Sequence, residues 1–290
     1  MLVSLSYRPR GSIIEKFDPR ARWILSIMIL FAIIQFWDYR FLLFFFLLAV
    51  FQYVLTRLTW RETRQAWLLT CIIVASMVIV NTLITSSGTI SSVMEGGHPL
   101  WSFQLYLPWF GWTIHFELTI ERLWFALCQV LRIFSIALLF MVIPFTMDPR
   151  IYGVTFKGMG FPDRLAFTMD LAFRFIPTLA RDFSVTLDAQ RARGYEIERA
   201  KGGLIAQIRK MAPLIVPVTM NSILTGEDVV NAMDLRCFGL RPRTWIEALK
   251  YHWHDYLMIG FGTLLLVGSL VLRFGFGIGD FWVPAWILPG

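Results

Sequence analysis

DRLAFTMDLAFRFIPTLARDFSVTLDAQRARG, from Asp163 to Gly194, places Asp163, Asp170, Arg174, Arg181 and Asp188 at intervals of seven, four, seven and seven. That spacing puts the five on one face of an α-helix, and most of the remaining positions are Phe, Leu, Ala, Ile and Met. A helix from Asp163 to Arg193 would be about 45 Å long, with a kink expected at Pro177. The stretch is too charged to span a bilayer and too apolar to stand free in water. It therefore lies along the membrane surface or packs on a similar helix of the same chain. The expected partner is Leu204 to Asp234, bent by Pro213 and Pro217, with an apolar middle from Met211 to Leu224. Read alone, that middle could be a further span, but the two prolines and Asn221 favour a helix buried within a module.

Each of the two helices ends on an arginine. The first runs through Asp188-Ala-Gln-Arg-Ala-Arg-Gly194 and closes on Ala192-Arg193-Gly194. The second carries a partial echo, Ala232-Met-Asp-Leu-Arg-Cys-Phe-Gly239, with Leu235, Arg236 and Cys237 at the matching places. An Ala-Arg-Gly alone reads as a solvated helix end. Two such tips, each offering a guanidinium fork beside small residues, suit a paired protein partner.

The chain is 57% hydrophobic and 16% aromatic over 290 residues, with a mean hydropathy of +0.60, which excludes an ordinary soluble domain. Its net charge of +7 fits basic cytoplasmic loops rather than nucleic-acid binding. Cys71, Cys128 and Cys237 are an odd set that implies no disulfide framework. The N-terminus lacks the cleavage site of a secretory signal, so the first span is expected to stay in the protein.

Five spans are expected. Asp18-Pro19 starts a helix, because Asp accepts free backbone N–H groups and Pro suits the first helical position. Trp23–Trp37 and Phe41–Leu55 form a hairpin of spans turning at Asp38–Arg40; Trp67–Thr85, Leu118–Ile143 and Asp255–Leu272 are the others. Residues 1–22 hold five Lys or Arg and residues 57–64 hold three, whereas residues 86–117 hold none. That bias places the N-terminus inside, and residues 86–117 and the tail from Phe274 to Gly290 outside. Trp101, Tyr106, Trp109 and Trp112 around a turn at Pro108–Gly111 suggest a hairpin at headgroup depth, with a substrate lid as the alternative.

Arg122 and Arg132 fall inside the fourth span, where a charge normally faces protein or water. Arg122 can snorkel outward. Arg132 is too central for that, which leaves a structural pairing with a carboxylate or a helix C-terminus, or a part in coupling. No G-x-x-x-x-G-K-[ST] occurs, so the chain has no P-loop. The histidines His98, His115, His252 and His254 complete no metal set, and no Ser-His-Asp order or G-x-S-x-G motif suggests hydrolysis.

With Phe17-Asp-Pro-Arg20, Phe161-Pro-Asp163 and Leu171-Ala-Phe-Arg-Phe-Ile-Pro177, the two tips make most of the chain resemble the transmembrane T component of energy-coupling factor (ECF) transporters, the EcfT/CbiQ/BioN family. The second tip departs from the family pattern at Leu235 and Cys237, where Ala and Gly are usual. The resemblance implies an all-α integral membrane protein of about five transmembrane helices plus a cytoplasmic module of long amphipathic coupling helices. It divides the chain into a membrane part (1–143), a coupling module (144–250) and a last helix with an external tail (251–290).

The implied role is a non-catalytic scaffold in the prokaryotic cytoplasmic membrane, joining two ABC-type ATPases to an integral membrane S component for uptake of a vitamin or transition-metal ion. Ala192, Arg193, Gly194, Leu235, Arg236 and Cys237 would bind the ATPases, and Arg132, Arg174 and Pro177 would act in structure or coupling. The chain itself would bind no cofactor; ATP and Mg would sit on the partner ATPases. The rival expectation is a self-contained channel or membrane enzyme built around Arg132, Arg174 and the outer hairpin.

Overall fold

The Asp18 carboxylate accepts a hydrogen bond from the Arg20 backbone N–H at 2.8 Å, and Pro19 follows it as the first helical residue. Helix α1 therefore starts at Pro19 and runs to Gln35. Asp38 caps α2, Tyr39–Leu55, in the same way through the Arg40 N–H at 3.1 Å. In the computed structural model, which describes residues 10–12, 14–85, 99–107, 112–195, 204–240, 245, 249–282 and 284, α3 is Trp60–Thr85. Strands β1, Pro99–Leu107, and β2, Trp112–Thr119, come next. They are followed by α4, Ile120–Thr146; a 3-10 turn, Pro149–Ile151; and α5, Tyr152–Gly158. The long helices α6, Asp163–Ala192, and α7, Leu204–Leu235, precede α8, Trp253–Leu270.

The protein is an all-α membrane protein, and among the described residues the hairpin of β1 and β2 is the one departure from helix. Segments in α3 and α4, and α8 together with the π-helical turn Val271–Gly275 that continues it, are long and apolar enough to cross a bilayer: Trp60–Val80, Leu123–Thr146 and Trp253–Gly275. Helices α1 and α2 have 17 residues each, about 25 Å of rise, slightly short of a bilayer core. Of the five expected spans, three thus meet the length criterion. The third begins at Trp60 rather than Trp67, because Arg61, Glu62 and Arg64 are the first turn of a helix and not a loop. Among the described residues, Asp148–Leu249 form one compact unit, and those within Ser6–Met147 and Lys250–Gly290 form the other.

In the membrane unit Leu25, Ile29, Ala32 and Ile33 of α1, with Phe36 just past its end, form a buried apolar stripe at helical spacing. They pack with Leu42, Phe45 and Ala49 of α2 and with Cys128, Leu138 and Leu139 of α4. Helix α8 closes on α1 at Gly262, where a methyl group would lie 3.0 Å from Leu25 Cδ1. The N-termini of α1 and α8 are tied together. Asp255 is buried, and its carboxylate accepts the Asp18 N–H at 2.7 Å and the His252 N–H at 2.8 Å. Arg20 completes the knot with a fork on Asp18 (3.0 and 2.8 Å) and a cation–π contact 3.8 Å above the Tyr251 ring. Burial pushes the Tyr251 hydroxyl above its ordinary pKa.

At the other end of the unit the chain after α8 folds over the α1–α2 turn. The Trp37 N–H donates to the Gly279 carbonyl at 2.8 Å, Trp124 Nε1 donates to the Trp282 carbonyl at 3.2 Å, and Arg40 stacks 4.2 Å over Trp282.

Arginines satisfy helix C-termini in this unit, where orphan carbonyls would otherwise face hydrocarbon. Arg132 on α4 donates to the Phe36 carbonyl at the end of α1 and lies 3.9 Å above the Trp37 ring. Arg22 donates to the Thr146 carbonyl and hydroxyl, both at 3.1 Å, and Arg10 donates to the Phe145 carbonyl at 3.3 Å while pairing with Glu62 at 2.6 Å. Replacing Arg132 by Ala is therefore expected to lower the thermal stability of the detergent-solubilised chain by several degrees. A variant of unchanged melting temperature that had lost transport would assign Arg132 to coupling instead.

Candidate functional site

The module Asp148–Leu249 is built on α6 and α7, each continuous through its prolines, Pro177 in one and Pro213 and Pro217 in the other. Gln190 Nε2 donates to the Pro213 carbonyl at 3.3 Å, Asn221 Nδ2 donates to Asp182 at 3.1 Å, and the Phe167 and Phe238 rings meet at 4.6 Å. These pairings descend along one helix as they climb the other, so the two are antiparallel. Arg193 therefore lies toward the start of α7 and Arg236 toward the start of α6. At 1.5 Å per residue the two arginines are about 40 Å apart along the pair.

Both helices end in the same turn. At the first tip the Tyr195 N–H donates to the Gln190 carbonyl at 3.0 Å and the Gly194 N–H to Arg191 at 2.9 Å, with Gly194 at φ +83°. At the second, the Phe238 N–H donates to the Met233 carbonyl at 3.0 Å and the Cys237 N–H to Asp234 at 2.9 Å, with Cys237 at φ +55°. Each is a Schellman motif, with the arginine as the cap residue between the last helical residue and the left-handed one. Sequence alone suggests that Cys237 should turn less readily than Gly194. The second tip nevertheless makes the full turn, because a value near +57° is the one left-handed well an L-residue can occupy, at a cost of about 1–2 kcal/mol. The +83° of Gly194 lies further from that well.

Arg193, Arg236 and Cys237 are exposed, and Leu235 is 88% exposed although apolar. Leu235 and Cys237 thus do not point into the helix pair; Phe238 is the residue that turns back onto it. Exchange of flanks is expected to be asymmetric. Ala192→Leu with Gly194→Cys should cut transport several-fold more than Leu235→Ala with Cys237→Gly, measured as uptake by cells expressing the whole complex. Equal small losses would show that the arginines alone make the contact.

Arg174 is exposed in the body of α6 and pairs with Asp170 at 3.1 Å, away from both tips, and Pro177 follows it one turn on. Asp170 is not on a solvated face as its spacing suggests: it is buried, with α5 pressed against it at Gly153. That contact was invisible in the sequence because Gly153 carries no side chain to mark it. Arg132 belongs to the membrane unit, with Arg10 and Arg22. The latter two read only as topology signals by charge counting, yet they hold the end of α4. Gly202, Gly203, Arg241 and Arg243 lie outside the described residues, as do the turn at 108–111 and residues 86–98. Among the described residues no group of three His, Cys, Asp or Glu could hold a metal ion. An open apolar groove of about 660 Å³ runs between α6 and α7, lined by Phe167, Leu171, Phe175, Val230 and Met233.

The family model CbiQ, described as a cobalt transport protein, matches residues 12–246. The energy-coupling factor transporter transmembrane protein EcfT of Thermosediminibacter oceani is 28% identical over 281 residues, 92% of this chain and 96% of that protein. EcfT of Lactobacillus helveticus is 26% identical over 92% of this chain and 91% of its own length. EcfT of Lacticaseibacillus paracasei is 35% identical over a shorter match, 37% of this chain and 40% of that protein.

Proposed function

The chain belongs to the CbiQ family of cobalt transport proteins, and from that premise we propose that it is the transmembrane T component of an ECF-type importer, joining two cytoplasmic ATPases to a membrane-embedded S component. The observation that carries this reading is the pair of exposed arginines, in matching left-handed turns at opposite ends of one antiparallel helix pair. A separation of about 40 Å is too wide for both to enter one groove, and it suits two subunits of an ATPase dimer. Each guanidinium inserts into one ATPase and makes charge-assisted hydrogen bonds there. Exposed Leu235 adds an apolar contact to the second tip alone.

Closure of the ATPases on ATP and Mg moves the tips together. Rigid α6 and α7 carry the displacement to the apolar faces on which the S component rests, tipping it between outward- and inward-facing states. This requires the two ATPase states to bind the tips differently. The N-terminus and the module lie in the cytoplasm, and the hairpin β1–β2 and the C-terminal tail lie outside, in the prokaryotic cytoplasmic membrane. The cargo is a vitamin or a transition-metal ion.

Purification of the tagged chain in mild detergent tests the assignment. Two P-loop ATPase subunits and a small hydrophobic protein should accompany it in fixed ratio. A single chain that is monodisperse and active alone would overturn it in favour of a channel or membrane enzyme.

A further inference from the structure

The hairpin outside the helices has a use that coupling does not absorb. In its antiparallel register, residues directly opposite one another share a face, and the faces alternate along each strand. One face carries the pairs from Trp101–Leu118 through Phe103–Phe116 and Leu105–Ile114 to Leu107–Trp112, all apolar. The pairs Ser102–Glu117, Gln104–His115 and Tyr106–Thr113 share the other, and each holds polar groups. Chain alternation and cross-strand register agree at every one of these pairs. Tyr106 thus belongs to the polar face, apart from Trp101 and Trp112. A two-stranded hairpin is at best marginally stable in water, and among the described residues these strands join no larger sheet, so the apolar face needs a cover.

We propose that this cover is the bilayer itself: the hairpin is a monotopic anchor lying in the lipid interface, apolar face down and polar face to water. Three observations favour lipid over a protein partner. Strand β2 ends at Thr119 and α4 starts at Ile120, so the hairpin is continuous with a membrane-length helix and its base sits at the edge of the hydrocarbon. The apolar face mixes Trp and Phe with aliphatic residues, the composition of the interfacial belt. The strands carry one charge, Glu117, and it falls on the polar face, leaving the other free of desolvated charge. Anchored in this way, α4 is held against tilting at the end that joins the hairpin.

The test uses the full chain in liposomes. An environment-sensitive fluorescent amino acid is introduced by stop-codon suppression, one position at a time, at Phe103, Leu105 and Ile114 and at Ser102, Gln104 and His115. Lipids brominated on the acyl chain should quench the first three at least twofold and leave the second three unchanged. Hydroxyl-radical footprinting of the unsubstituted protein in nanodiscs supplies a readout that no substitution can disturb. Tyr106 and His115 should oxidise at least fivefold faster than Trp101, Phe103 and Phe116. Equal quenching on both faces, or equal oxidation, overturns the anchor. Apolar-face positions that stay wet in liposomes and become protected only when the S component is added would also overturn it, assigning the face to a protein.

Discussion

Changing both Arg193 and Arg236 to Ala is expected to abolish uptake while the membrane unit stays folded. The reason is that both side chains are exposed and, among the described residues, neither makes a hydrogen bond or ion pair within the chain. Their removal takes nothing from the fold. In the complex, a hydrogen bond to a charged group is worth about 1.5–3 kcal/mol, or roughly 10- to 150-fold in affinity. A single change weakens one of two attachments, and the other keeps the ATPase dimer at high effective concentration. Losing both should leave the ATPases soluble and their hydrolysis uncoupled from transport. Uptake and ATPase co-purification, measured for the two single variants and the double, check this. Near-normal uptake in the double variant would remove the arginines from the mechanism.

The second large effect is expected at Gly153, which no part of the docking surface touches. A methyl group there would lie 2.6 Å from Asp170 Cβ and 2.8 Å from the Ala166 carbonyl oxygen, so α5 and α6 must separate. Overpacking of this kind costs about 1–3 kcal/mol. The separation also disturbs the neighbouring aromatic stack of Tyr152 on Phe173, whose rings are 4.9 Å apart. Gly153→Ala should therefore make Asp148–Leu249 markedly more sensitive to limited proteolysis and reduce uptake, with both arginines intact. Gly226→Ala is the matched control. It lies inside α7 with nothing within 4 Å of the added methyl, and it should stabilise the helix by about 1 kcal/mol. Equal behaviour of the two variants would show that the α5–α6 contact is not tight.

How much of this could be read from the residues depends on how local the cause is. The two coupling helices were expected at Asp163–Arg193 and Leu204–Asp234 and are found at Asp163–Ala192 and Leu204–Leu235. Their ends are set within a few residues by the arginine turns, so sequence suffices. Helix α1 is legible for the same reason, from Asp18 and Pro19. The start of α3 was not, because Arg61, Glu62 and Arg64 look like loop until Arg10 reaches Glu62 from 52 residues away. Helices α6 and α7 continue through Pro177, Pro213 and Pro217, as the sequence reading expected of helices that bend there rather than break. At the second tip the left-handed cost of Cys237 was visible, but not that Phe238 on Phe167 holds the turn regardless. The arginines were seen as charge, whereas Arg22, Arg10 and Arg132 act as caps on carbonyls that belong to other helices. The two-faced hairpin was readable in principle from its alternation, once the register was known.

The central claim is that each arginine tip docks on a different ATPase subunit. It is tested most directly by placing a photo-crosslinking amino acid at Ala192 and at Leu235, beside the arginines, singly and together in the assembled complex. Each single substitution should give an adduct of this chain with one ATPase subunit, and the double should give a three-chain adduct containing two. Adducts confined to the S component or lipid, or a double substitution that never joins more than one ATPase subunit, would contradict the account.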